Sequence, residues 1–162
     1  MIYFYEIDDE YINYMHLVDN KILLPKEKER KEMRKYIGVI ILINGYKYYI
    51  PLSSYKPEVY DNMYESISLM KVKKMAVIRV NNMFPAIDEA VHPINFHDVK
   101  DEKYKYLLMA EYREIKTREN ELRKNARIVY GHRINKNNKH KRLYGICCDF
   151  KKLELATSTY KK

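Results

Sequence analysis

Residues 36–56 decide the fold: Tyr36-Ile37-Gly38-Val39-Ile40-Ile41-Leu42-Ile43, then Asn44-Gly45, then Tyr46-Lys47-Tyr48-Tyr49-Ile50, and finally Pro51-Leu52-Ser53-Ser54-Tyr55-Lys56. Two β-branched and aromatic runs flank an Asn-Gly pair. A two-residue turn that follows the right-handed twist of a hairpin needs positive φ at both central residues, which Asn and Gly tolerate. The stretch is therefore read as an antiparallel hairpin, with the residues from Pro51 onward as a loop just past its second strand.

Working outward, Ile2 to Ile7 reads as a short strand. Asp8 or Asp9 can then cap a helix whose apolar residues Tyr11, Ile12, Met15 and Val18 fall at helical spacing. Residues 20–33 are polar and densely charged, an exposed loop or short solvated helix. Met75 to Val80 is a further strand, and Phe84-Pro85-Ala86-Ile87 suits a bend or sheet edge because Pro85 has no N–H for a ladder. From Asp101 the pattern turns helical, with Tyr104, Leu107, Leu108, Glu111, Tyr112 and Ile115, then Leu122, Ala126 and Val129. Two helices are expected, broken near 117–120 or at Gly131. Leu143 to Phe150 reads as a last strand, and Lys151 to Ala156 as a short terminal helix. With no repeat or linker, residues 1–162 form one α+β domain with a mostly antiparallel sheet.

Composition narrows the partners. The chain carries 17 Tyr and no Trp, so many rings are expected at the core edge where the hydroxyl stays wet. Its formal charge of +9 lies entirely in the C-terminal part: residues 100–162 hold 18 Lys and Arg against 8 Asp and Glu, and residues 1–99 hold 13 against 14. From Arg123 to Arg142, eight cations occur without one acidic residue: Arg123, Lys124, Arg127, Arg133, Lys136, Lys139, Lys141 and Arg142. A solvated helix face usually mixes signs, so this stretch points to a nucleic-acid backbone over a bland basic surface. His132 and His140 lie in the same stretch.

Several chemistries lack their residues. Cys147 and Cys148 are adjacent, without the spaced partners of a zinc site or disulfide framework, and read as buried thiols of a reducing compartment. No apolar run approaches the ~20 residues of a membrane span, and Met1 is followed by Ile2-Tyr3-Phe4-Tyr5-Glu6, so a cytoplasmic protein without membrane contact is expected. No Gly-rich phosphate loop occurs. Asp88 and Glu89 are the acids beside a strand, and as neighbours they should point to opposite faces of it. His16 reads as a surface residue of the first helix, and His92 and His97 as turn caps. A site for phosphodiester chemistry would thus work without a metal, with no cofactor. The segment past the hairpin offers two hydroxyls and an ammonium, Ser53, Ser54 and Lys56, although on spacing alone the serines could equally cap a turn before Pro57.

Four stretches resemble the ToxN/AbiQ family of toxins from type III toxin–antitoxin systems. They are Phe4-Tyr5-Glu6-Ile7 with Tyr11-Ile12-Asn13-Tyr14, the hairpin Tyr36 to Tyr48, the segment Pro51-Leu52-Ser53-Ser54-Tyr55-Lys56, and more weakly Met83-Phe84-Pro85 with Tyr144-Gly145-Ile146-Cys147. The order holds along nearly the whole chain. The resemblance implies a strongly twisted antiparallel sheet surrounded by helices and a metal-independent endoribonuclease. It implies that a small folded repeat RNA is processed and inhibits the toxin in a closed toxin–RNA hetero-oligomer, with cellular or phage RNA as the target. It places Ser53, Ser54 and Lys56 in the active site, with Arg34 as a further basic group. The loop at 26–33 has no aromatic residue to match an active-site Tyr of some members, so that role is vacant or falls to Arg30, Lys31 or Arg34. Arg30, Lys31 and the basic stretch, His140 included, are then the expected RNA contacts. Cleavage would proceed by attack of the substrate's 2′-hydroxyl, leaving a 2′,3′-cyclic phosphate. A catalytically idle RNA-binding module and a DNA-binding regulator are the competing readings, the latter without a helix-turn-helix signature.

Overall fold

A computed structural model describes residues 2–24, 36–135 and 141–161. Of the segment 20–33 expected as an exposed loop or short solvated helix, residues 25–33, Arg30 and Lys31 among them, lie outside the described residues, as do Arg34, Lys136, Lys139 and His140. Ile22 of that segment is not exposed but buried in the core.

The hairpin forms where the Asn-Gly pair puts it. Strand β2 (Ile37–Ile43) pairs with β3 (Tyr46–Ser54) in a register running from Ile43↔Tyr46 to Ile37↔Leu52. Asn44 and Gly45 sit at φ 53° and 79°, the positive values the turn demands. Gly38 is needed for a different reason. A Cβ there would lie 2.5 Å from the Ile50 carbonyl oxygen and 2.6 Å from Cζ of Tyr49, so its missing side chain lets the Tyr49 ring lie across β2.

Around this pair the sheet is antiparallel at every described pairing. On one side β2 pairs with β1 (Phe4–Ile7), which pairs with β7 (Val91–Pro93). On the other, β3 shares its edge between two strands: β6 (Phe84–Ala86) opposite Lys47–Tyr49, and β5 (Ala76–Arg79) opposite Leu52–Ser54. The sheet ends at β4 (Leu69–Val72). Pro51, which has no N–H to donate, falls in the gap where β3 passes from β6 to β5. Met75–Val80 and Phe84–Ile87 thus form the strand and edge expected of them, with Val80–Asn82 winding into a 3₁₀ turn between.

Helix α1 (Asp9–Val18) buries Tyr11, Ile12 and Met15. Asp8 occupies its cap position without a side-chain cap bond, and Oδ1 of Asp8 instead lies 2.8 Å from Nε2 of His92. Helix α2 (Pro57–Tyr60) is a single turn. Helix α3 (Glu102–Thr117) starts where Asp101 accepts from the Tyr104 amide at 2.9 Å. It breaks at Arg118, and α4 (Glu119–Ile134) continues through Gly131. Helix α6 (Phe150–Thr157) covers the expected terminal helix, capped by Asp149.

Three expectations fail. Leu143–Phe150 is not a strand: α5 (Lys141–Ile146) takes its first half, and Cys147 and Cys148 turn inward, fully buried, before the Asp149 cap. A short apolar run does not distinguish a strand from a helix and its cap. Its burial has no two-residue period, since Tyr144, Gly145 and Ile146 are exposed. Asp88 and Glu89 do not flank a strand's two faces either, because they lie on a 3₁₀ turn, Asp88–Ala90, where Lys47 reaches Asp88 at 2.6 Å. His97 does not cap a turn. Its amide donates to the side chain of Asn95, which does.

The tyrosines divide between edge and centre. Tyr5, Tyr14, Tyr46, Tyr104, Tyr112 and Tyr160 are partly buried around the core, as expected, and so is the Tyr36 ring, although its hydroxyl is buried. Tyr11, Tyr48 and Tyr49 are fully buried within it, beyond the expected edge position. Backbone carbonyls make that possible for Tyr11 and Tyr49: Tyr11 donates to Pro85 at 2.7 Å, and Tyr49 to Tyr5 and Tyr36 at 3.2 Å each. Tyr130 of α4 donates to the buried carboxylate of Glu154 at 2.7 Å and accepts from Asn44 of the hairpin turn at 3.0 Å. The C-terminal helices are thereby tied to the hairpin.

Candidate active site

Ser53 and Ser54 are the last two residues of β3, not part of a loop beyond it. Pairing with β5, Ser53↔Val77 and Ser54↔Ala76, extends the strand past the Pro51 gap. Consecutive strand residues point to opposite faces. Ser54 therefore shares the side of Leu52, Ala76 and Ile78, all in the main core, and Ser53 shares the side of Val77, Lys71 and Arg79. Both serines are half-buried. Neither caps α2. That turn is closed by the Lys56 carbonyl, which accepts from the Val59 and Tyr60 amides at 2.9 and 2.8 Å. Among the described residues, no hydrogen bond or ion pair engages the two hydroxyls or the Lys56 ammonium. A strand end held by the sheet on both sides thus carries two hydroxyls and a cation within four residues.

Sequence reasoning missed Tyr36. Extending the β2–β3 register by one residue beyond Ile37↔Leu52 sets it across from Ser53. Its ring stacks on Tyr49 with centroids 5.9 Å apart. Its hydroxyl is buried and has no partner among the described residues. Burial pushes the phenol well above its ordinary pKa, with the Cys148 thiol adding to the rise and Arg79 opposing it. Tyr36 thus carries a protonated phenol beside Cys148 and Arg79, on the same face of the sheet as Ser53. The signal was in the hairpin, one step past its last recognised pair.

Tyr55 donates to Asp61 at 2.5 Å, and this bond holds its phenol up at about 12. Tyr55, Asp61, Glu65, Lys71, Lys73 and Lys74 line an open cavity of about 580 Å³. Arg118 closes its far wall, donating to Glu65 from both Nη atoms at 2.8 and 3.1 Å, to Glu121 from Nε and Nη2 at 2.9 Å, and to the Lys71 carbonyl at 3.0 Å. These bonds hold the carboxyls of Glu65 and Glu121 below their ordinary range.

The basic stretch runs along α4 into α5. Lys124 and Arg127 point outward, one turn apart, opposite the buried Leu122, Ala126, Val129 and Tyr130. Lys141 and Arg142 are exposed on α5. Among the described residues, two of these cations are not unopposed. Arg123 pairs with Glu119 at 3.5 Å, and Arg133 faces Asp149 at 3.7 Å while its guanidinium lies 4.0 Å from the Tyr144 ring centroid. Their acids come from outside the stretch, so a window of sequence did not show them.

Among the described residues no group of three or more His, Cys, Asp or Glu could hold a metal ion, and no helix is long and apolar enough to cross a membrane. Cys147 and Cys148 are free, with burial pushing the Cys147 thiol up to about 11.

Residues 3–158 match the family profile described as Toxin ToxN, type III toxin-antitoxin system. The chain belongs to the ToxN family. Endoribonuclease ToxN of Bacillus thuringiensis subsp. kurstaki is 31% identical over 98% of this chain and 84% of its own length. Endoribonuclease AbiQ of Lactococcus lactis subsp. lactis is 28% identical over 98% of this chain and 89% of its own. A solved chain from work on type III toxin–antitoxin systems, in which a non-coding RNA pseudoknot selectively inhibits the toxin, superposes with a TM-score of 0.86 at 28% identity, covering 99% of this chain and 98% of that one. The ToxN match takes in β1, the hairpin, the Pro51–Lys56 segment and α6 together.

Proposed function

We propose that this ToxN-family chain is a metal-independent endoribonuclease toxin whose active site is the end of β3. The observation that carries the reading is the family match across residues 3–158, combined with Ser53, Ser54 and Lys56 on a rigid strand end with their polar groups unengaged among the described residues. The substrate's own 2′-hydroxyl attacks the adjacent phosphorus, the 5′-oxygen leaves, and a 2′,3′-cyclic phosphate remains. Lys56 neutralises charge on the non-bridging oxygens as a point cation whose ammonium no group among the described residues engages. Ser54 hydrogen-bonds the scissile phosphate or the attacking hydroxyl, and Ser53, whose hydroxyl lies on the other face of β3, positions the same group by its amide. Tyr36, a buried protonated phenol across from Ser53, is placed to donate, and Arg34 is a second clamp.

The partner is a folded antitoxin RNA that the toxin processes and that holds it in a closed toxin–RNA assembly. Its phosphates meet Lys124, Arg127, Arg133, Lys141 and Arg142, together with Arg123, Lys136, Lys139 and His140 of the same stretch and Arg30 and Lys31 of the segment before β2. Cellular or phage RNA in the cytoplasm is the target. The deciding experiment is cleavage of purified RNA by the purified protein with and without EDTA, followed by analysis of the product ends. Cyclic phosphate ends formed at an unchanged rate in EDTA are expected. Activity lost in EDTA and restored by magnesium would overturn the mechanism.

A further inference from the structure

Where α1, α4 and α6 meet lies a polar cavity of about 420 Å³ whose lining includes Asp19, Lys21, Arg133, Asp149 and Lys152. Arg133 is the unusual member. Its side chain is only 13% exposed, its Nε is buried without a hydrogen-bond partner among the described residues, and its ring partner Tyr144 fixes the guanidinium plane at 4.0 Å. The nearest carboxylate oxygen, Oδ2 of Asp149, stands 3.7 Å from Nη2, beyond hydrogen-bond length.

Both acids in the cavity also accept backbone amides. Asp19 accepts the Asp149 amide at 2.6 Å and the Lys21 amide at 3.0 Å, and Asp149 accepts the Lys152 amide at 3.2 Å. Lys21 donates to the Cys147 carbonyl at 3.1 Å, and the Lys152 side chain is exposed and unpaired among the described residues. Three cations thus face two carboxylates of which only Oδ2 of Asp149, 3.7 Å from Arg133, accepts no backbone amide. A buried donor left without an acceptor is costly, and a planar guanidinium held on an aromatic ring matches the fork of two phosphate oxygens.

We infer that this cavity is a phosphate-binding subsite that takes one phosphodiester of the RNA, with Arg133 as the clamp and Lys21 and Lys152 at its rim. Tyr144 remains 40% exposed while Arg133 covers one face of its ring, which leaves the ring able to stack a neighbouring base. The inference rests on the proposed action on RNA and adds residues outside the Arg123–Arg142 stretch to it. It also gives Arg133 a role that the exposed cations do not share, because a preset fork binds one phosphate in one orientation.

The test uses the full chain and a 2′-O-methyl oligoribonucleotide of mixed sequence, about 12 nucleotides long, which resists attack through the 2′ position and lies within the ~4–16 nucleotides a single-strand groove spans. Affinity is measured against salt for the parent, R133Q, R133K and K152Q. For R133Q a loss of about tenfold and a slope lower by about 0.7, the value of one phosphate on a single strand, are expected. R133K should keep the slope and lose part of the affinity, since an ammonium lacks the fork. K152Q alters an exposed side chain, so it should fold and weaken binding a few-fold, and it carries the test if R133Q does not fold. A parent that cuts RNA while R133Q and K152Q both bind with unchanged affinity and slope overturns the subsite and leaves the proposed function standing. A parent that neither binds nor cuts RNA overturns both. A melting temperature raised by inorganic phosphate in the parent but not in R133Q, with equal oligonucleotide affinity in the two, makes the cavity a free-anion site and also overturns the inference.

Discussion

Replacing Lys56 by Ala separates chemistry from structure more cleanly than any other change at the β3 end. Its described structural part is played by the carbonyl that closes α2, and Ala keeps that carbonyl. The ammonium makes no ion pair among the described residues, so removing it should change stability by no more than about 0.5 kcal/mol. In a chain of this size that is about 1–2 °C in Tm. The rate should respond very differently. Removing one preorganised charge or donor from a transition state that concentrates charge on phosphate oxygens costs about 10²–10³-fold, or about 2.7–4 kcal/mol. Single-turnover cleavage of RNA beside a circular-dichroism melt reads both quantities. Ser54→Ala should behave in the same way, because it removes one hydroxyl from a side that the core already packs. A Lys56→Ala protein that melts like the parent and cuts at the parent's rate refutes the phosphate clamp. A rate loss accompanied by a Tm many degrees lower refutes the separation of roles.

Replacing Lys136, Lys139, Lys141 and Arg142 together with Gln should weaken antitoxin RNA binding and lower its salt slope by about 0.7–0.9 per lost phosphate contact, leaving cleavage intact; an unchanged slope makes the stretch a solubilising surface. Tyr130→Phe leaves the buried Glu154 carboxylate without its closest donor and Asn44 without its acceptor, which should cost about 1.5–3 kcal/mol and lower Tm by about 3–12 °C. Equal melting temperatures would show that the network contributes nothing net. The carboxyls of Glu65 and Glu121 are held low by Arg118, so their stabilisation is fully present above the unfolded carboxyl value of about 4.3 and is lost as pH falls through the folded value. Denaturant midpoints measured from pH 6 to pH 3 should fall less steeply in Glu65→Gln than in the parent, and parallel profiles would contradict that reading.

What the sequence made legible was local. The Asn44-Gly45 turn follows from the conformational preference of two residues, the helical pattern begins at Asp101 where it was read, and of the two breaks offered the one near 117–120 forms, at Arg118. What stayed hidden depends on partners far along the chain. Ser53 and Ser54 read as a loop because the strand that extends β3 through them, β5, begins 22 residues after Ser54. Arg133 read as unopposed because Asp149 lies 16 residues further on and meets it only after α5 turns the chain back. The apolar run at 143–150 was ambiguous in itself, and only the packed core shows that its buried residues do not alternate. The candidate site was legible as residue types but not as geometry. The unpartnered Tyr36 phenol came into view only once the hairpin register was fixed.

The division of the β3 edge between β6 and β5 sets an order of events during synthesis. The hairpin closes through a two-residue turn and can form as soon as residue 54 has left the ribosome, whereas the β5 residues that fix Ser53 and Ser54 emerge only later, and the helices that bury the opposite side later still. A nascent chain that already holds both serines and the lysine therefore has no sheet to align them. A toxin built this way acquires its activity late, after most of the protein has been made, so a truncated translation product carrying the whole Pro51–Lys56 segment should be harmless to the cell that made it.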